Sequence, residues 1–164
     1  MSQVQPIHTL LKARLDYVRR DLFQTLAGMT DDRLDWRPGE GMRTVRGQLF
    51  EILGKEVELL NFAKGKGQAE WVEMDDPGSR LETLEDWKQA LDGARSETLR
   101  YLDQMSEGDL NELLPFPEDD WWEGLCLEAI PMHEVFRNIA AHEWYHAGQI
   151  TTYLWCLGKD PYHR

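Results

Sequence analysis

The chain has only two cysteines, Cys126 and Cys156, and neither belongs to a C-x-x-C pair. Two are too few for a disulfide framework, so the fold must rest on an apolar core, and the composition suits a reduced, cytoplasmic protein. No apolar run approaches the ~18 residues of a membrane span. The N-terminal stretch MSQVQPIHTLLKARLDYVRRD begins polar and mixes charge into its apolar residues, unlike a signal peptide. Basic residues are scarce: 18 Lys and Arg stand against 30 Asp and Glu, a formal charge of -12 spread along the chain. Such a surface repels a phosphate backbone or an anionic bilayer, so neither nucleic acid nor membrane is an expected partner. Repeats and low-complexity segments are absent as well. With 164 residues the chain is long enough to bury one sizeable core, and a single domain over 1–164 is expected.

What the sequence has in quantity is helical periodicity. Leu11, Leu15, Val18, Leu22 and Leu26 recur at steps of three and four, which predicts a first helix over about 4–27, ended by Gly28. Residues 29–43 are dense in turn formers, and Pro38 with its neighbouring glycines excludes a continuous helix. Thr44 can cap a second helix over about 44–64, with Val45, Leu49, Ile52, Leu53, Leu59 and Leu60 on one side. Gly65 and Gly67 then open a polar connection reaching Glu82, with a turn at Pro77-Gly78. A third helix over about 83–106 aligns Leu84, Trp87, Leu91, Ala94, Thr98, Tyr101 and Met105. Residues 108–131 read as irregular, with Pro115, Pro117 and Trp121-Trp122. A fourth helix over about 132–157 is stopped by Gly158 and Pro161. Four amphipathic helices predict an all-α fold, a four-helix bundle. The connections exceed the roughly two to eight residues usual between antiparallel neighbours, so at least one should cross over.

On the fourth helix stands HEWYHAGQI, residues 142–150, which spells the H-E-x-x-H pattern of zinc peptidases. At ~100° per residue, His142 and His146 lie within ~40° of one another and ~6 Å apart along the axis. They extend a stripe of Val135, Ile139, Gln149 or Ile150, Tyr153 and Leu157, which places them in the middle of a core-facing seam. A lone histidine there is most often a core residue with one hydrogen-bonded partner. Two side by side leave four ring nitrogens to satisfy, and a divalent cation takes one on each ring. His133 falls on the other side of the helix, and His8 and His163 lie near the chain ends, so none of the three is given a role.

A peptidase is not expected. In the extended pattern H-E-x-x-H-x-x-G-x-x-H, Gln149 takes the glycine position and Thr152 that of the last histidine. Glu143 lies ~100° from His142, outside the stripe, and reads as a solvated or supporting carboxylate rather than a general base. A third ligand should come from a facing helix, and the second offers Glu51, Glu56 and Glu58. Glu56 falls at the centre of the apolar face and Glu51 at its edge, so wheel geometry alone selects Glu56.

Three features together, LDWRPGEGMRTVRGQLFEIL, HEWYHAGQITTYL and the order of helices and loops, make the chain resemble the DinB-like metal-binding proteins. These are four-helix bundles that include bacillithiol-dependent S-transferases and, more distantly, mycothiol-dependent enzymes. The resemblance implies helices running up, down, down, up, and a site of three histidines, one on the second helix and two on the last. The last two match His142 and His146. After TVRGQLF, where the family commonly has its first histidine, this chain has Glu51. A two-histidine, one-carboxylate set still binds a divalent metal, so the resemblance selects Glu51, His142 and His146 as ligands. Glu56, if buried, then needs a partner or a raised pKa and could stand behind the ligands; were Glu56 the ligand instead, the helical register would differ.

Two functions are open at this stage. The first is an enzyme that uses a divalent metal (zinc, nickel, manganese or iron) to activate a low-molecular-weight thiol, or water, for attack on a small electrophilic substrate. Gln149 and Tyr153 would then line the cofactor pocket or orient ligands, with plain core packing as their other reading. The second is a non-catalytic bundle, metal-binding or metal-lost, associated with stress and acting through association. The resemblance suggests a homodimer, and Trp71, Trp121 and Trp122 would mark a dimer face, a pocket lid or simply a covered end of the core.

Overall fold

Periodicity alone locates four helices to within a few residues of where they lie: α1 Ile7–Leu26, α2 Val45–Ala63, α3 Leu84–Leu102 and α4 Met132–Cys156. The computed structural model describes residues 6–65, 81–115 and 128–162. The expectations for Gly67, Trp71, Pro77-Gly78, Pro117, Trp121, Trp122, Cys126 and His163 lie outside the described residues.

Local chemistry sets the helix ends. Thr44 caps α2 by accepting from the Gly47 amide at 3.0 Å, which satisfies one of the amides a helix start leaves without a partner. At α3, Thr83 and Asp86 form a reciprocal capping box. That helix stops at Leu102 rather than near 106, and Met105 is in the turn that follows, its amide on the Leu102 carbonyl at 3.1 Å. Gly158, at φ 73°, takes the left-handed conformation after α4 that favours glycine. Gly28 serves differently: Ala27 closes α1 in a right-handed conformation, and a Cβ on Gly28 would meet both Leu154 methyls at 3.1 Å. Close approach of α1 to α4, rather than a positive φ, is what needs this glycine. The stretch 108–131 is not wholly irregular as expected. Leu113–Pro115 (β1) and Ala129–Pro131 (β2) pair antiparallel, with Leu114 opposite Ile130. Three-residue strands holding prolines are too short to display alternation in the sequence.

Cross-helix bonds fix the directions. Arg19 meets Glu143 and, further along both helices, Thr25 meets Thr151, so α1 and α4 run parallel. Glu56 meets Arg95 and Ala63 meets Tyr101, so α2 and α3 run parallel. Lys12 reaches Asp103 while Asp31, beyond the end of α1, reaches Leu84, which sets α3 against α1. The order is up, down, down, up, as the resemblance implies, and the end of α2 and the start of α3 lie at opposite ends of the bundle.

The core is in two parts. One gathers Leu11, Leu15, Val18, Leu59, Leu102, Val135, Phe136 and Ile139, and the other Leu22, Leu26, Leu49, Ile52, Leu91, Ala147, Ile150 and Tyr153. Between them lies a layer to which each helix contributes one charged residue: Arg19, Glu56, Arg95 and Glu143, all buried. Arg19 Nε donates to Glu143 at 2.7 Å and its Nη2 to Glu56 at 2.8 Å. Arg95 Nε donates to Glu56 at 2.7 Å, and its terminal nitrogens to Glu143 and the Leu15 carbonyl. Thr98 adds a bond to Glu56 at 2.9 Å. Two cations and two anions cancel, which is the condition for burying any of them.

Candidate metal centre

The flank where α2 packs on α4 brings together one donor atom each from Glu51, His142 and His146, all within 4.8 Å of one another. His146 is buried, and His142 and Glu51 are half-buried. The imidazole Nε2 atoms face each other at 3.2 Å. Ligand bonds of ~2.0–2.1 Å at tetrahedral angles put donor atoms ~3.3 Å apart, so the histidine pair already has the spacing a divalent ion requires.

A hydrogen-bond chain behind His146 settles which of its nitrogens is free. The Arg43 carbonyl can only accept, so the Tyr153 hydroxyl donates to it at 2.8 Å. That hydroxyl must then accept from Gln48 Nε2 at 2.9 Å, which leaves Gln48 Oε1 to accept from His146 Nδ1 at 2.5 Å. His146 therefore holds its proton on Nδ1 and a lone pair on Nε2, the atom turned toward His142 and Glu51. Trp36 packs edge-on against the Tyr153 ring, centroids 5.9 Å apart, and holds the end of this chain.

Electrostatics keep both rings neutral. Burial pushes the His142 pKa down to about 3, helped by His146 and by the positive charges of Lys55 and Arg43. His146 is also lowered, first by burial, with Glu51 and Gln149 pulling the other way. Neutral imidazoles carry the lone pairs that metal binding needs. His142 Nδ1 is buried and has no hydrogen-bond partner among the described residues. The donor set, the spacing and the fixed His146 tautomer fit a divalent ion.

Several expectations need correcting. Val135, Phe136, Ile139, Ala140, Ala147, Ile150 and Leu154 are all buried, so the buried sector of α4 is wider than one stripe. Glu143 falls at its middle and the histidines at its α2 edge, not in the middle of the seam. Glu143 is accordingly neither solvated nor a base beside the histidines: it is 1% exposed and bound by Arg19 and Arg95. Glu56, the choice of wheel geometry, is spent on Arg19, Arg95 and Thr98. Glu58 pairs with Lys55 at 2.7 Å. Of the readings open for Tyr153, its 2% exposure and its hydroxyl engaged on both sides fit the one in which it stands behind His146 and orients that ring through Gln48, not the one on a pocket wall. Gln149 is half-buried beside His146. His133 contacts the Leu110 carbonyl and Glu134, and His8 contacts Asp103, away from the site. Gln48 is the residue that sequence reasoning missed. Its signal was a polar side chain three and four positions from Val45 and Ile52, on the apolar face of α2, where burial demands a partner.

A family model described as the DinB superfamily matches residues 14–150. Among solved structures, a conserved protein from Enterococcus faecalis is similar over 95% of this chain and 100% of its own, with a TM-score of 0.67 and 18% identity. A DinB-like protein from Bacillus subtilis is similar over 94% of this chain and 93% of its own, with a TM-score of 0.59 and 12% identity. At those identities the likeness is one of fold. No curated protein sequence matches the chain.

Proposed function

The chain belongs to the DinB superfamily, and from that membership we propose a divalent-metal enzyme that activates a low-molecular-weight thiol, or water, for attack on a small electrophile. Glu51, His142 and His146 are its ligands. The observation that carries this reading is the pair of neutral imidazoles with Nε2 atoms 3.2 Å apart, one of them locked in the ligating tautomer by Gln48.

A divalent cation held there would lower the pKa of a bound thiol or water and so supply a nucleophile at neutral pH. Three protein ligands leave a coordination position for that molecule, as in catalytic rather than structural zinc sites. The half-buried setting of Glu51 and His142 leaves the site open on one side, where the electrophile would approach. Gln48 and Tyr153 orient His146, while Gln149 stands at the rim and can contact the bound molecule.

The test is metal content followed by turnover. Protein without a histidine tag should hold one divalent ion per chain, lost in His146→Ala. With thiol and 1-chloro-2,4-dinitrobenzene it should form the thioether, the thiol giving up its proton and the arene its chloride. A chain that stays metal-free after supplementation would sink this reading.

One observation favours a second reading, a non-catalytic bundle acting through association. Tyr17 and Trp144 pack edge-to-face, centroids 6.1 Å apart, on the outer side of α1 and α4, and with Tyr145 and Trp155 they are exposed. Under this reading a homodimer would cover them, and sedimentation would show a dimer that Trp144→Glu disrupts, with conjugation absent whatever metal is supplied.

A further inference from the structure

Glu51 has a partner besides the histidines: Arg43 Nη2 stands 2.7 Å from its Oε1. A guanidinium and a divalent ion thus lay claim to one carboxylate. Arg43 immediately precedes the α2 cap, and its side chain is 55% exposed against 23% for Glu51. The guanidinium therefore lies at the open edge of the site and can leave Glu51 without stranding a buried charge. Its backbone, by contrast, is held, because the Arg43 carbonyl is the terminal acceptor of the chain through Tyr153 and Gln48 to His146. The root of the side chain therefore keeps its distance from the histidine pair while the guanidinium is free to move.

Charge decides what happens when an ion arrives. Two neutral imidazoles and one carboxylate only half neutralise a divalent cation, and Arg43 adds a further positive charge beside it. Like charges on opposite sides of one carboxylate repel, so the ion weakens the hold of Arg43 on Glu51. Lys55, paired with Glu58 at 2.7 Å, lies on the same flank and adds to the positive potential at His142. The rest of the molecule is strongly acidic, with a formal charge of -12. Lys55 is largely buried and stays with Glu58, so Arg43, 55% exposed, is the basic group at the edge of the site that an anion can reach once Glu51 is taken by the ion.

We propose that Arg43 yields Glu51 to the ion and then serves as the anion-recognising group at the mouth of the loaded site, so that the molecule taken there is a small thiol bearing a carboxylate. This rests on the metal reading above and adds the specificity of the same site. Arg43 is on this account a specificity residue, and the carboxylate of the thiol replaces Glu51 as its partner.

Cobalt(II) makes the test optical. Wild type, Arg43→Gln and Arg43→Lys are titrated with cobalt, and the loaded proteins then with 3-mercaptopropionate or 3-mercapto-1-propanol, following the sulfur-to-cobalt charge-transfer band. Removing the competing cation should tighten cobalt binding in Arg43→Gln by about 5-fold, the scale of one partly exposed ion pair. Wild type should prefer the carboxylate thiol to the alcohol thiol by a similar factor, Arg43→Gln should lose that preference, and Arg43→Lys should keep part of it. Chelation of cobalt by the thiol's own carboxylate is common to all three proteins and cancels in the comparison. Circular dichroism melts establish that the variants are folded. A wild-type chain that takes up no cobalt overturns the metal reading itself, before any thiol is added. Cobalt binding with unchanged affinity in Arg43→Gln, or with an unchanged thiol preference, overturns this proposal alone.

Discussion

The side chain on which the site turns is Gln48, because it decides which nitrogen of His146 carries the lone pair. Replacing it with leucine keeps volume and helix propensity but frees the imidazole to rotate and change tautomer. Loss of such an orienting partner typically costs 10- to 100-fold in metal affinity, and Gln48→Leu should fall in the range of about 10–100-fold by chelator competition. A change under twofold would mean that the orientation is set elsewhere. His142 makes a second prediction. Its folded pKa of about 3 lies below the 6.5 of an ordinary histidine, so between those values the unfolded chain binds the extra proton. Stability in metal-free buffer should therefore decline as pH falls from 6.5 toward 3, by at most about 1.4 kcal/mol per pH unit and less after screening at a half-buried ring. Urea unfolding at pH 7 and pH 5 checks this: His142→Gln should show a loss smaller than wild type by about 1 kcal/mol. Ring spacing was legible in the sequence, since two histidines four apart must share a helix face. The neutral state and the tautomer were not, because they depend on residues brought from α2.

Each helix was legible from its own apolar periodicity and its caps, but the charged layer was not. Arg19, Glu56, Arg95 and Glu143 come one from each element, so no single helical wheel shows why they are buried. Their pairing rests on the relative register of four helices, which periodicity leaves open. Wheel geometry noticed that Glu56 points inward, and only the positions of Arg19 and Arg95 explain it. Breaking such a cluster leaves an uncompensated charge inside the bundle. Arg95→Leu, which deprives Glu56 and Glu143 together, should cost about 3–5 kcal/mol in urea unfolding. Replacing all four residues with well-packed apolar ones should be far milder, because no charge then remains buried. If the single substitution costs under about 1 kcal/mol, water must be reaching the layer.

For the molecule as a whole, topology followed from long connections together with family resemblance, and the contacts give the same order of helices. The proposed ligand set, Glu51 with His142 and His146, spans two elements, α2 and α4, so an ion bound there would link them in the folded state and find no such set in an unfolded chain. Ligand at a hundred times its dissociation constant adds about 2.7 kcal/mol to stability. Thermal melts with saturating zinc should thus rise for wild type and stay flat for Glu51→Gln, in which the carboxylate is gone but the shape is kept. A rise of equal size in both would assign the ion to other groups.

The split core has an implication of its own. A polar floor of guanidinium and carboxylate divides the bundle into two apolar storeys, and hydrocarbon cannot slide across it to fill a gap. A void cut near Phe136 must be mended by neighbours on its own side, while Leu49 and its surroundings stay as they were. Each storey is therefore free to accumulate substitutions separately, and the storey flanking the histidine pair can be remodelled around that pair while the other preserves the scaffold.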